Sequence, residues 1–175
     1  DSGYAHQLAL DVCRLALLIG EKHVSCHTRN LNMCLIEDNK GNIVMQIRDP
    51  KRYSWSGAAL PGGHVEGKES IHDSVVREIY EETGLTIKHP QLVGLKDGHT
   101  DQGYRYIVFL YKAGSYSGRL RSSQEGQVLW VNRRDLPQMA LAYDMLALLR
   151  VFDESELSEY FYQDKLDGQW QKKFY

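Results

Sequence analysis

From Gly63 to Leu85 the chain reads GHVEGKESIHDSVVREIYEETGL, and this run dictates a helix with two unlike faces. Ser70 suits the position just before a helix, where its hydroxyl can accept from a first-turn amide, and Asp73 follows three residues on as a shortened capping box. Glu69 and Asp73 place negative charge near the positive end of the helix dipole. Gly84 suits the left-handed residue that closes a helix. A helix from about Ser70 to Thr83 is expected. At about 100° per residue, Ile71, Val75 and Ile79 fall within an arc of roughly 80°, which predicts the core-facing side. Glu78, Glu81 and Glu82 follow at i, i+3, i+4 and crowd a neighbouring arc of roughly 100°. Arg77, four residues before Glu81 and four after Asp73, offsets part of that charge.

Acids in a run along a helix usually form a solvated face. The Pro61-Gly62-Gly63 turn ahead of this helix points instead to a site for hard divalent cations. Such ions take oxygen ligands and relieve carboxylate repulsion. Glycine lets backbone approach a ligand closely, and a freed carbonyl there can join the metal shell.

Gly63, Glu69 after five intervening residues, Arg77-Glu78-Ile79 after seven more, then Glu81-Glu82 and Gly84-Leu85 resemble the Nudix box at every defined position. From about Arg29 onward the chain resembles small bacterial MutT-like Nudix hydrolases. Trp55-Ser56-Gly57, followed by Leu60-Pro61-Gly62-Gly63-His64-Val65-Glu66, is similar to that subgroup. The resemblance implies an α/β fold, an α/β/α sandwich with a mixed β-sheet. Residues 29–175 would form the Nudix domain and residues 1–28 an N-terminal extension. The implied activity is Mg²⁺-dependent hydrolysis of a nucleoside diphosphate-X pyrophosphate bond, with Mn²⁺ as the alternative ion. The leading substrate class is a nucleoside triphosphate, oxidised forms such as 8-oxo-dGTP included, cut to a monophosphate and pyrophosphate. Hydrolysis of ADP-ribose or of a dinucleoside polyphosphate is the enzymatic alternative. A non-catalytic nucleotide-binding module is the other class, and the intact acidic positions favour the enzyme.

Site residues carry over position by position. Glu78 and Glu82 are the implied metal ligands, Glu81 a third ligand or a contact to metal-bound water, and the Gly62 carbonyl part of the shell. Arg77 is expected to orient Glu78. Glu69 has a helix-start role or a site role. Glu125, in Ser122-Ser123-Gln124-Glu125-Gly126, resembles a later-loop acid that serves as ligand or base. Both uses fit the chemistry, because carboxylates hold metals or accept a proton from water. Tyr53, Trp55, Tyr106 and Tyr143 are candidates to stack on a nucleobase, against the plainer reading of packing. Asp144 lies near where MutT-type proteins read an oxidised purine. It stands where the best-known pattern has asparagine, a departure that bears on recognition of 8-oxoguanine. His64 and His99 are weaker candidates for the neighbourhood of phosphate.

The 175 residues suffice for one domain with a core, and 42% hydrophobic with 25% charged residues is an ordinary globular balance. A net charge of −2 gives no broad basic surface, which argues against a nucleic-acid polymer as partner and leaves a small nucleotide. A homodimer is open. Three cysteines make no disulfide framework, and Cys34 in an apolar run reads as a buried thiol. His23, Cys26 and His27 lack a fourth ligand at a recognised metal spacing. No signal-like segment or long apolar run is seen, so no membrane association and a cytoplasmic location are expected.

Leu8, Val12, Leu15 and Ile19 lie on one face of a short amphipathic helix. It reads as an added helix, a partner-binding element or a vector-derived remnant. Strands are expected at Leu31–Glu37, Ile43–Arg48, Leu85–Leu95, Tyr104–Tyr111 and Val128–Val131, with a hairpin turn at Asp38–Asn42 and a polar loop at Lys96–Gly103. An apolar helix is expected at Leu141–Val151.

Overall fold

The computed structural model describes residues 28–48, 56–100, 104–142, 144–166 and 169–175. The expected helix over residues 8–19, the His23/Cys26/His27 group, Tyr53, Trp55 and Tyr143 lie outside the described residues. Ten strands are seen: β1 (Thr28–Ile36), β2 (Asn42–Arg48), β3 (Gly57–Ala59), β4 (Leu85–Ile87), β5 (Gln91–His99), β6 (Arg105–Ala113), β7 (Tyr116–Gly118), β8 (Gly126–Asn132), β9 (Glu159–Leu166) and β10 (Gln169–Phe174). Two α-helices, α1 (Ile71–Thr83) and α2 (Met145–Asp153), and a 3₁₀ turn at Arg133–Gln138 complete the described elements.

The main sheet has five strands in the order β1-β6-β5-β9-β10. It is mixed: β1 with β6 and β5 with β9 run parallel, while β5 with β6 and β9 with β10 run antiparallel. A smaller sheet pairs β3, β2 and β8, and β4 pairs with β7.

Strand alternation explains where the helices sit. Successive residues of β1 point to opposite faces. Leu35 joins a core with Val108, Leu110 and Tyr160 that α2 closes with Met145, Leu148 and Leu149. Cys34 and Ile36 join a second core with Val44, Tyr111 and the Val75–Ile79 stripe of α1. One helix therefore covers each face of the mixed sheet. Val75 and Ile79 are fully buried, as the helical period predicts, and truncating Ile79 to alanine should cost about 2–5 kcal/mol. The Asp73 amide donates to the Ser70 hydroxyl at 3.0 Å, and Gly84 closes α1 with φ 74°. Burial pushes the Cys34 thiol far up, so it stays a neutral apolar filler.

Several expected boundaries are corrected. The expected strand Leu85–Leu95 is two strands on different sheets, broken where His89 takes φ 49° ahead of Pro90. Lys96–His99 continues β5 rather than starting a loop. The late helix begins at Met145, because Leu141 and Ala142 are held against β3 by the Ala142 amide donating to the Ala58 carbonyl at 2.9 Å. The β9–β10 hairpin was not anticipated. Among the described residues no helix is long and apolar enough to cross a membrane.

Candidate active site

The turn before α1 is threaded along β1. The Cys34 amide donates to the Pro61 carbonyl at 2.9 Å and the Asn32 amide to the Gly63 carbonyl at 2.8 Å. The Gly62 carbonyl between them takes no hydrogen bond from the described residues. Gly62 adopts φ 151°, and a β-carbon there would strike the backbone of Asn32 and Met33. A β-carbon on Gly63 would overlap the Glu78 carboxyl group. Gly62 is thus required by close backbone approach, whereas a side chain at Gly63 would displace the Glu78 carboxyl group.

Glu82 lies beneath this turn, only 3% exposed. The Gly62 amide donates to its Oε2 at 2.7 Å. Its Oε1 is buried with no hydrogen-bond partner, and both polar atoms of the buried Gln46 side chain share that condition. Burial, reinforced by the adjacent Glu125 carboxyl, holds the Glu82 proton well above the ordinary carboxylate range. Glu78 is raised too, first by burial, against the pull of Arg77 and with added repulsion from Glu81 and Glu125.

Arg77 organises the acids around it. Its guanidinium donates to both Glu69 oxygens at 3.0 and 2.7 Å, to Glu78 at 2.9 Å, to Glu81 at 3.1 Å and to the His64 carbonyl at 3.1 Å. Glu69 also accepts from the Glu66 amide at 2.8 Å, and the Arg77 hydrogen bond, with that amide, draws its pKa down to about 2. Glu69 therefore ties the turn to the helix through Arg77. The side chain of Glu81 is 57% exposed and that of Glu78 only 14%, so the three helix acids differ in depth.

The fold therefore brings Gly62, Arg77, Glu78, Glu81, Glu82 and Glu125 together. Glu125 reaches in from the turn before β8, where its amide donates to the Ser123 hydroxyl at 3.2 Å. Among the described residues no three acid, histidine or cysteine side chains already form a closed metal shell. Arg77 is bonded to both Glu78 and Glu81. Chemically, the cluster combines a buried orphan carboxylate oxygen, a free carbonyl and crowded like charges. Such an arrangement has the chemistry that a cation would offset.

Tyr106 and Asp144 belong to a second group. The register His64–Leu31–Val108–Lys96 places Lys96 two strands from β1, roughly 10 Å away. The Lys96 ammonium sits 6.0 Å from the Tyr106 ring and 5.2 Å from the Tyr162 ring. Burial lowers its pKa to about 8. Asp144 is the N-cap residue of α2, but its side chain makes no capping hydrogen bond. Its Oδ2 accepts from Tyr162 at 2.8 Å and Tyr160 at 3.3 Å and pairs with Lys172. Gln46 and the hairpin residues Tyr160, Tyr162 and Lys172 were missed in the sequence. Gln46 had one signal, a polar residue inside the apolar run Ile43–Ile47.

The NUDIX domain family profile matches residues 27–152. The chain belongs to the Nudix family. It is accordingly an enzyme of the pyrophosphohydrolase class. The chain is 36% identical over 120 residues to the uncharacterized Nudix hydrolase YvcI of Bacillus subtilis, covering 65% of this chain and 72% of that protein. It is 29% identical over 113 residues to the human 8-oxo-dGDP phosphatase NUDT18, covering 62% of this chain but 34% of that longer protein. The fold matches the crystal structure of the MutT protein of Bacillus halodurans with a TM-score of 0.69 at 24% identity, over 83% of this chain and 97% of that one. Nudix hydrolases generally use divalent metal ions and act on small nucleotides. The β9–β10 hairpin lies beyond the segment that the Nudix profile matches.

Proposed function

We propose that this Nudix protein hydrolyses a nucleoside diphosphate-X pyrophosphate bond with Mg²⁺, Mn²⁺ serving as a substitute, and that its substrate is a nucleoside triphosphate, oxidised forms included. The observation that carries this reading is the buried, unpartnered Glu82 Oε1 beside Glu125, whose carboxyl also repels Glu78. An isolated buried carboxylate is costly, and a divalent cation offsets that cost. Glu78, Glu82 and the Gly62 carbonyl would hold the metal, with Glu81 at its outer edge. Bound there, the ion neutralises phosphate charge and acidifies a water. The Gly62 amide fixes Glu82 through Oε2, so that Oε1 faces the site. Arg77 keeps Glu78 oriented and takes no part in proton transfer. Glu125 contributes a further carboxylate, as ligand or as acceptor of the water proton. Tyr106 and Asp144 would meet the nucleoside, and the likeness to an 8-oxo-dGDP phosphatase supports a purine nucleotide there.

The test is a panel of nucleoside triphosphates, oxidised nucleotides, ADP-ribose and dinucleoside polyphosphates with Mg²⁺, its products resolved by phosphorus NMR. Release of a monophosphate and pyrophosphate from a triphosphate is expected. Cleavage of ADP-ribose alone would move the substrate class. Tight binding of one member with no turnover of any would replace the enzyme with a binding module.

A further inference from the structure

Among the described residues the buried polar side chains are Asn32, Gln46, Ser74, Glu82, Thr83 and Asp97. Most of them are paired. Asn32 donates to Ser74 at 2.6 Å, Thr83 donates to the Ile79 carbonyl at 2.6 Å, and Asp97 accepts from Arg105 at 3.1 Å. Of this group, Gln46 and Glu82 alone keep atoms without a hydrogen-bond partner: the amide nitrogen and oxygen of Gln46, which is 0% exposed, and the Glu82 Oε1. These two side chains face each other. Burial and Glu125 raise the pKa of Glu82, while the Gly62 amide and Gln46 pull it down, as donors aimed at a carboxylate do.

Strand pairing puts Gln46 there. It stands opposite Ala59 of β3 and Val128 of β8. Three residues after Ala59 the chain reaches Gly62, and three before Val128 it carries Glu125. Gln46 thus lies between the two strands that deliver other groups of the site. Val44, two residues earlier on the same face, packs with Val75 and Ile79 of α1. An aliphatic side chain would fill such a place without the cost of burying an unpaired amide.

We propose that Gln46 is a positioning residue of the carboxylate site: in the cation-loaded protein its amide donates to Glu82 Oε1 and, with the Gly62 amide on Oε2, fixes that carboxylate from both ends. This rests on the reading of Glu82 as a metal ligand. A carboxylate oxygen has two acceptor positions, so an amide and a cation can share Oε1. An uncharged donor suits the place, because it supports the carboxylate without cancelling the charge that attracts the cation.

The test compares the whole chain with its Gln46→Met variant, which keeps the length of the side chain and removes both polar atoms. Mn²⁺ affinity, titrated by electron paramagnetic resonance, should weaken by about tenfold or more. Without divalent ions the melting temperature should stay within about 2 °C of the parent or rise, since no formed hydrogen bond is lost. An amide that merely fills the core would do the reverse, a lower metal-free melting temperature with unchanged Mn²⁺ affinity, and that result overturns the proposal. Absence of Mn²⁺ uptake by the parent chain would overturn the metal reading and this assignment together, whereas equal affinity in parent and variant would overturn the assignment alone. A second measurement needs no variant. Mg²⁺ should move the Gln46 side-chain N–H signal downfield in nuclear magnetic resonance, as for a proton entering a hydrogen bond; a signal that stays in place also overturns the proposal.

Discussion

Two groups of charge lie on this scaffold, and they are solved in opposite ways. Around Asp144, unlike groups meet: Lys172 and two tyrosine hydroxyls converge on one carboxylate oxygen, and its proton is held below the ordinary carboxylate range, first by Lys172. Around Glu82, like groups meet: Glu125 approaches a carboxylate with one orphaned oxygen and also repels Glu78, and the Glu82 and Glu78 protons are held above that range. The first group is complete within the chain. The second leaves one carboxylate oxygen unbalanced among the described residues, which is what the proposed cation would offset. Burial alone does not separate a structural carboxylate from a functional one; the sign of its neighbours does.

The contrast is broken most sharply at Glu82. Glu82→Gln removes a charge and keeps the volume and the Gly62 contact. Turnover should fall on the order of 100-fold or more, about 2.7 kcal/mol in the barrier, with the far-UV spectrum unchanged. Near-normal turnover in a folded variant would remove Glu82 from the metal shell.

The next effect is on stability against pH. Glu82 and Glu78 are raised above the ordinary value of 4.5 in the folded state. Raised carboxylates bind more protons folded than unfolded, so their contribution is full below pH 4.5 and is lost as pH rises through the raised values. Without divalent ions, the melting temperature should therefore fall between about pH 5 and pH 8 by roughly 5 °C or more. Saturating Mg²⁺ should flatten that slope, because it binds the ionised form. A slope that Mg²⁺ leaves untouched would mean that the acids do not bind it.

Arg77 links the incomplete group to the turn. Arg77→Lys retains the charge but cannot reproduce five directed hydrogen bonds from one planar fork. Metal affinity measured by titration should weaken by about 10–100-fold, as for other losses of a ligand's supporting contacts. Unchanged affinity would reduce Arg77 to a surface ion pair.

The carboxylate cluster was largely legible in the sequence because it is local. Helical period alone separates Val75 and Ile79 from Glu78 and Glu82, and Gly84 marks its own position by its φ. Only Glu125 and Gln46 come from elsewhere, and Gln46 is brought in by pairing of β2 with β3 and β8, which no spacing reveals. The same limit governs the fold. The run Leu85–Leu95 carries Thr86, Lys88 and Gln91 among its apolar residues, and its pattern alone does not show that its halves serve different sheets; His89 and Pro90 mark the break between them. The β9–β10 hairpin joins β5 by non-local parallel pairing, and its Tyr160 is buried by partners distant in sequence.

The completed group should respond least, and in stability rather than turnover. Tyr162→Phe removes one hydroxyl that donates to Asp144 and leaves the ring beside Lys96 in place. Tyr160 and Lys172 still satisfy the same oxygen, so the loss should be about 1 kcal/mol in denaturant unfolding. Turnover should stay within about threefold, since no reacting atom is touched and threefold is under 1 kcal/mol in the barrier. A large rise in KM at constant kcat would show that this network also grips the nucleotide. The two groups would then differ in how their charges are balanced but not in whether they meet the substrate.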